Sequence, residues 1–103
     1  MIIYMSDSTL KPSLGYYYHY KHESFGDINN YAYEVVGLAI HTESKKWLVL
    51  YRPIYNQKYL PRGTLSARPL DMFMSDVRWR GRTVRRFTRI RAGKVLDKLR
   101  SMS

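Results

Sequence analysis

The chain of 103 residues carries 18 Lys and Arg against 8 Asp and Glu, a formal charge of +10, with 45% hydrophobic residues and no cysteine. It is long enough for one core and too short for two, and the lack of cysteine excludes a disulfide framework, a thiolate metal site and a thiol nucleophile. Ten tyrosines lift the aromatic share to 15%, which favours sheet over helix, and with no apolar run of about 18 residues and no basic leader the expected location is the cytoplasm.

Residues 1 to 13, with Ser6, Asp7, Ser8, Thr9 and Pro12, show little periodicity and read as a flexible or loosely docked arm ahead of a single domain over 14–103. Leu14 to Lys21 predicts the first strand, with Tyr16, Tyr18 and Tyr20 on one face and Tyr17, His19 and Lys21 on the other. Buried tyrosine hydroxyls need partners, so the phenol tips on at least one face are expected to be wet or hydrogen-bonded. His22 to Asn30, with Gly26, Asp27, Asn29 and Asn30, reads as a loop.

Tyr31 to Ile54 holds two runs of β-branched, aromatic and aliphatic residues around Thr42 to Lys46, the pattern of a hairpin with a five-residue loop. Alternation puts Tyr33, Val35, Gly37, Ala39 and His41 opposite Glu34, Val36, Leu38 and Ile40. In the second run it puts Trp47, Val49, Tyr51 and Pro53 opposite Leu48, Leu50, Arg52 and Ile54. Both faces are largely apolar, so neighbours must cover them, as in a strongly bent sheet that closes on itself.

Tyr55 to Leu65 is polar and aromatic, with Pro61 and Gly63, and reads as an exposed connection. Leu65 to Ala67 predicts a short strand, and Pro69, suited to the first helical position, starts one turn through Leu70, Asp71, Met72 and Phe73. Met72 or Phe73 from that turn would plug the barrel. Val77 to Ile90 predicts a second hairpin with Gly81 in the tight turn. From Gly93 to Arg100, Val95, Leu96, Leu99 and Met102 fall at helical spacing, the mark of a short basic amphipathic helix.

Five segments in order, Tyr18-His19-Tyr20-Lys21, Tyr33 to Glu43, Leu48 to Pro53, Arg68 to Phe73 and Gly81 to Phe87, together resemble the small bacterial family known as domain of unknown function 1653. The resemblance spans about residues 16 to 90 and implies a small, mostly β, SH3-like barrel with no established activity. The expected fold is therefore such a barrel of five or six antiparallel strands with a one-turn plug and a C-terminal helix. The loop at Glu23 to Asn30, the Leu65-Ser66-Ala67 stretch and the arginine-rich final hairpin depart from the family's usual form.

The charge is uneven: residues 1–61 carry six Lys and Arg against five acids, and residues 62–103 carry twelve against three. Arg78, Arg80 and Arg82 are expected on one face of the second hairpin and Arg85, Arg89 and Arg91 along its return, with Arg86 and the basic helix extending the band. Guanidinium groups match phosphate oxygens, and three acids cannot neutralise twelve bases. With Tyr55, Tyr59 and Trp79 as stacking platforms, the band points to a non-catalytic nucleic-acid-binding module, RNA more than duplex DNA. The alternative is a small molecule or peptide in an aromatic-lined pocket of Tyr18, His19, Tyr33, His41, Tyr51 and Arg68. His19, Glu34, His41 and Glu43 also invite a metal or acid–base reading, but no metal-ligand spacing is present, and the enzyme reading has the least support. No cofactor and no membrane partner are implied, and the oligomeric state is left open.

Overall fold

The computed structural model describes Lys11 to Ser103; most of the expected N-terminal arm, residues 1–10, lies outside the described residues. Strands β1 (Gly15–His19), β2 (Ala32–Ile40), β3 (Trp47–Pro53), β4 (Ser66–Pro69) and β7 (Phe87–Arg89) form one antiparallel sheet in the order β4-β3-β2-β1-β7. Strands β5 (Asp76–Trp79) and β6 (Arg82–Arg85) form a separate two-stranded sheet. Helix α1 is the single turn Leu70–Phe73, and α2 spans Gly93–Met102. The mostly β architecture, the turn after Pro69 and the closing helix are as the sequence leads one to expect.

The central hairpin forms with Tyr33 opposite Pro53 and Ile40 opposite Trp47. Its alternation is interrupted by a bulge between Val35 and Gly37. The extra residue, Val36, is exposed, and Leu38 moves onto the face of Tyr33 and Val35. An unbroken alternation puts Leu38 on the other face; one inserted residue reverses everything that follows it.

Each face of the main sheet carries its own core. On one side Tyr17, Tyr33, Val35, Val49 and Tyr51 pack with Phe87 and with Phe73 from α1. On the other, Tyr16, Ala32, Ile54 and Ile90 are covered by Leu99 of α2, assisted by Val95, Leu96 and Met102. The plug is therefore Phe73, 2% exposed, while Met72 is 44% exposed. The phenols of β1 are hydrogen-bonded: Tyr17 donates to Ser13 O (2.8 Å), Tyr18 to Ile28 O (2.5 Å), and Tyr16 shares a bond with Ser103 Oγ (2.8 Å).

The ladder is open, with β4 and β7 as its edges. The sheet nonetheless curves far enough to carry the Arg68 guanidinium of β4 over the Phe87 ring of β7, 5.4 Å from its centroid. Side chains bridge what backbone hydrogen bonds do not.

The second hairpin differs from a single β-ribbon running to Ile90. After β6 the chain changes partners at Arg86, whose N–H donates to Ser75 O (3.0 Å) and whose carbonyl accepts from Tyr20 N–H (2.9 Å). Phe87 onward then pairs with β1, Tyr17 opposite Arg89. The tight turn is Arg80-Gly81, both at positive φ (53° and 79°), the backbone that matches the twist of a two-residue hairpin.

Candidate functional site

The arginines do not form one band. Cross-strand pairing sets Arg78 opposite Thr83 and Asp76 opposite Arg85, while Arg82 stands opposite Trp79. Side chains alternate along each strand, so Arg78 and Arg85 share one face and Arg82 takes the other. Arg78 folds back onto Thr83 Oγ1 (2.8 Å) and Gly81 O (3.1 Å), and Arg80 pairs with Glu23 (2.7 Å) while lying over the Trp79 ring. Trp79 in turn meets Tyr20 edge-to-face, centroids 5.1 Å apart, and Arg80 occupies one face of its ring. Arg86 is tied to Ser75 Oγ (3.1 Å).

Part of the basic surface gathers in a cleft beside β7 of about 420 Å³, lined by Lys11, Arg85, Arg89 and Arg91, with Tyr17, Phe73, Met74 and Phe87 among its walls. Four basic residues line it with no acid among the described residues, although the Lys11 ammonium itself lies over the Trp47 ring, 3.8 Å from its centroid. Arg89 lies against Gly15 and hydrogen-bonds Ser13. Gly15 sits at φ 139°, and a Cβ there would come 3.3 Å from the Arg89 guanidinium, so the missing side chain is what lets the arginine lie flat. Lys11 is not singled out by the sequence and Tyr17 is read there only as a strand residue; the basic count of the last segment hints at the arginines alone.

Tyr55 and Tyr59 do come together. With Tyr31, Asn56, Gln57, Lys58 and Leu60 they line a second cleft of about 400 Å³, and Tyr59 is 84% exposed. Tyr55 is fixed by a 2.5 Å hydroxyl contact with Tyr33, and Gln57 Nε2 donates to the Tyr55 hydroxyl (3.4 Å).

Of the six residues of the alternative pocket, four converge. His19 lies against Tyr33 (6.3 Å between centroids) and Phe87 (5.2 Å), Tyr33 packs on Tyr51 (5.3 Å), and Arg68 covers Tyr51 (5.9 Å) and Phe87. Tyr18 is excluded because it points to the opposite face, stacked on His22 at 3.5 Å. His41 is excluded too: it sits at the hairpin loop, where its Nδ1 accepts from the N–H groups of Glu43 (3.3 Å) and Ser44 (3.2 Å). Phe87 takes their place, and each of the five segments that carry the family resemblance then contributes one side chain: His19, Tyr33, Tyr51, Arg68 and Phe87.

Burial and the nearby cations Arg68, Lys21 and Arg86 lower the His19 pKa to about 4. Its ring is therefore neutral at physiological pH, and since Nδ1 accepts from Lys21 N–H (3.2 Å), the proton resides on Nε2. A base this weak takes up protons poorly at pH 7, which suits a hydrogen-bond donor better than a general base. Burial raises the Tyr33 pKa, so its hydroxyl keeps its proton. Glu34 is engaged with Arg52 (2.7 Å), and among the described residues no three His, Asp or Glu side chains gather as a metal site.

The three places are contiguous through shared residues. Phe87 lines the basic cleft and lies beneath Arg68, and Tyr31 and Tyr55 flank His19 and Tyr33 while lining the tyrosine cleft.

The model of a family described as protein of unknown function (DUF1653) matches residues 15–89, within one residue at each end of the span read from the motifs. A crystal structure of a DUF1653 protein from Bordetella bronchiseptica is similar to this chain, with 26% sequence identity and a TM-score of 0.61 over 77% of this chain and 87% of that one. No curated protein matches the chain. Among the described residues no helix is long and apolar enough to cross a membrane.

Proposed function

The chain belongs to the DUF1653 family of proteins of unknown function, and for this member we propose a non-catalytic nucleic-acid-binding module that favours single-stranded RNA over duplex DNA. One observation carries the reading: a cleft with three arginines and, among the described residues, no acid is joined, through Phe87 and the His19 cluster, to a cleft walled by tyrosines. Phosphates seat against guanidinium groups at one end, and unpaired bases stack on rings at the other. Duplexes hide those bases, which sets the preference for single strands. We assign Arg85, Arg89 and Arg91 to the backbone, and Tyr55 and Tyr59 to the bases. The cytoplasm is the compartment this reading calls for.

The test is fluorescence-anisotropy binding of labelled single-stranded RNA, duplex RNA and duplex DNA across a salt series, beside the Arg85→Ala/Arg89→Ala/Arg91→Ala variant. Single-stranded RNA binds best, and the variant flattens the logarithmic salt slope by about 2, the share of three phosphate contacts. No binding at low salt overturns the proposal.

A second reading, a small molecule or peptide held over the aromatic cluster, is favoured by the convergence of His19, Tyr33, Tyr51, Arg68 and Phe87 from five separate segments.

A further inference from the structure

The cluster over Tyr33, Tyr51 and Phe87 has an unbalanced set of polar groups. Its floor is three buried rings. Its half-buried rim is His19 and Arg68, from strands at different positions in the sheet. Arg68 uses Nε on the Tyr51 hydroxyl (3.4 Å) and Nη1 on the soft acceptor Met72 Sδ (3.5 Å), and among the described residues Nη2 has no partner and no carboxylate pairs with the guanidinium. His19 presents Nε2–H, also without a partner among the described residues. Every charged group acting on His19 is a cation: Arg68, Lys21 and Arg86.

Donors without acceptors, over an apolar floor, describe a site whose missing member is an anion. We propose that this rim binds an anionic group, a carboxylate or a phosphate, with Arg68 as its principal ligand and His19 Nε2–H as a second donor. The proposal rests on the small-ligand reading and names its chemical class. The Arg68 guanidinium is already held over the Tyr51 and Phe87 rings, so little side-chain freedom is lost when it binds.

The same chemistry has two sources, a free small anion and a phosphate of an RNA strand, and the experiment separates them. The probes are benzoate, phenyl phosphate, neutral phenol and a short uridine oligonucleotide, each titrated at constant ionic strength into the ¹⁵N-labelled full chain, with backbone and Arg Nε signals followed. The expected result is a saturable shift centred on Arg68, His19 and Tyr51 with benzoate or phenyl phosphate, at least tenfold stronger than with phenol. Arg68→Lys keeps the fold and the charge but loses the planar fork, and weakens the anion about tenfold. Arg85→Ala/Arg89→Ala/Arg91→Ala leaves it unchanged. If only the oligonucleotide shifts Arg68, and does so in competition with neither small anion, the free-anion source is overturned and the phosphate of a strand is retained. Equal binding of phenol overturns the anionic class while leaving a small-ligand site. No saturable shift at Arg68 with any probe overturns the site altogether.

Discussion

Phe73 and Phe87 stack face to face, 4.2 Å between centroids and 6° between planes, joining the one-turn helix to the edge strand β7. A four-residue helix has little stability of its own, so α1 is held by that ring and not by its backbone. Phe73→Ala is expected to cost about 3–5 kcal/mol, whereas Met72→Ala on the same turn stays within about 0.5 kcal/mol. Urea unfolding of the two variants beside the parent chain measures both.

The pH dependence of stability follows from His19. Its folded pKa of about 4 lies below the ordinary histidine value of 6.5, so between those values the unfolded chain takes up a proton that the folded chain refuses. Stability is therefore complete above pH 6.5 and falls as the pH drops toward 4. The groups facing the ring, Lys21 after β1, Arg68 on β4 and Arg86 ahead of β7, are all cations, and the remaining neighbours are Tyr20, Tyr31, Tyr33 and Phe87. His19→Gln is expected to flatten the denaturation midpoint between pH 5 and 6.5; an unchanged slope would mean that His19 is free to protonate in the fold.

Arg85 and Arg86 are adjacent and are expected to behave oppositely. Arg86 bridges to Ser75 where the chain passes between sheets, so Arg86→Ala lowers the unfolding midpoint by about 1–2 kcal/mol of stability. Arg85 is exposed in the basic cleft, and Arg85→Ala leaves stability within about 0.5 kcal/mol while weakening RNA. Paired melting and anisotropy measurements on the two variants show the crossover.

Tyr59 contributes almost nothing to the core. Tyr59→Ala should leave the melting temperature unchanged and cost about 1–3 kcal/mol of single-strand affinity, the usual worth of one stacked base. Loss of stability without loss of binding would assign the ring to packing instead.

Much of this fold is legible in the residues. The central hairpin, the Gly81 turn, the helical turn after Pro69 and the α2 face with Leu99 each rest on a local signal, and each is found where that signal points. What escapes notice is non-local. The Val36 bulge is silent because both faces of β2 are apolar, so either parity satisfies the pattern. The change of partner at Arg86 depends on Ser75 and Tyr20, neither of which is marked by spacing. The arginine band dissolves for a related reason: composition counts charges, but Glu23, Thr83 and Ser75 decide which of them are occupied. His19 and Arg68 meet only because the sheet bends, and their separation of 49 positions gives no hint of it.

The pairing of β1 with β7, and of Tyr16 with Leu99 and Ser103, has a consequence for how the molecule is made. A nascent chain leaving the ribosome presents β1, β2 and β3 first, with one face awaiting Phe73 and the other awaiting Leu99. Tyr16, Ala32 and Ile54 stay partly wet until α2 clears the exit tunnel, because among the described residues Leu99, Val95, Leu96 and Met102 supply the last of their cover. Long-range closure of this kind is slow to nucleate and leaves apolar strands uncovered in the interval. The domain therefore closes this face only once α2 has emerged, and its dependence on chaperones should be set by that delay.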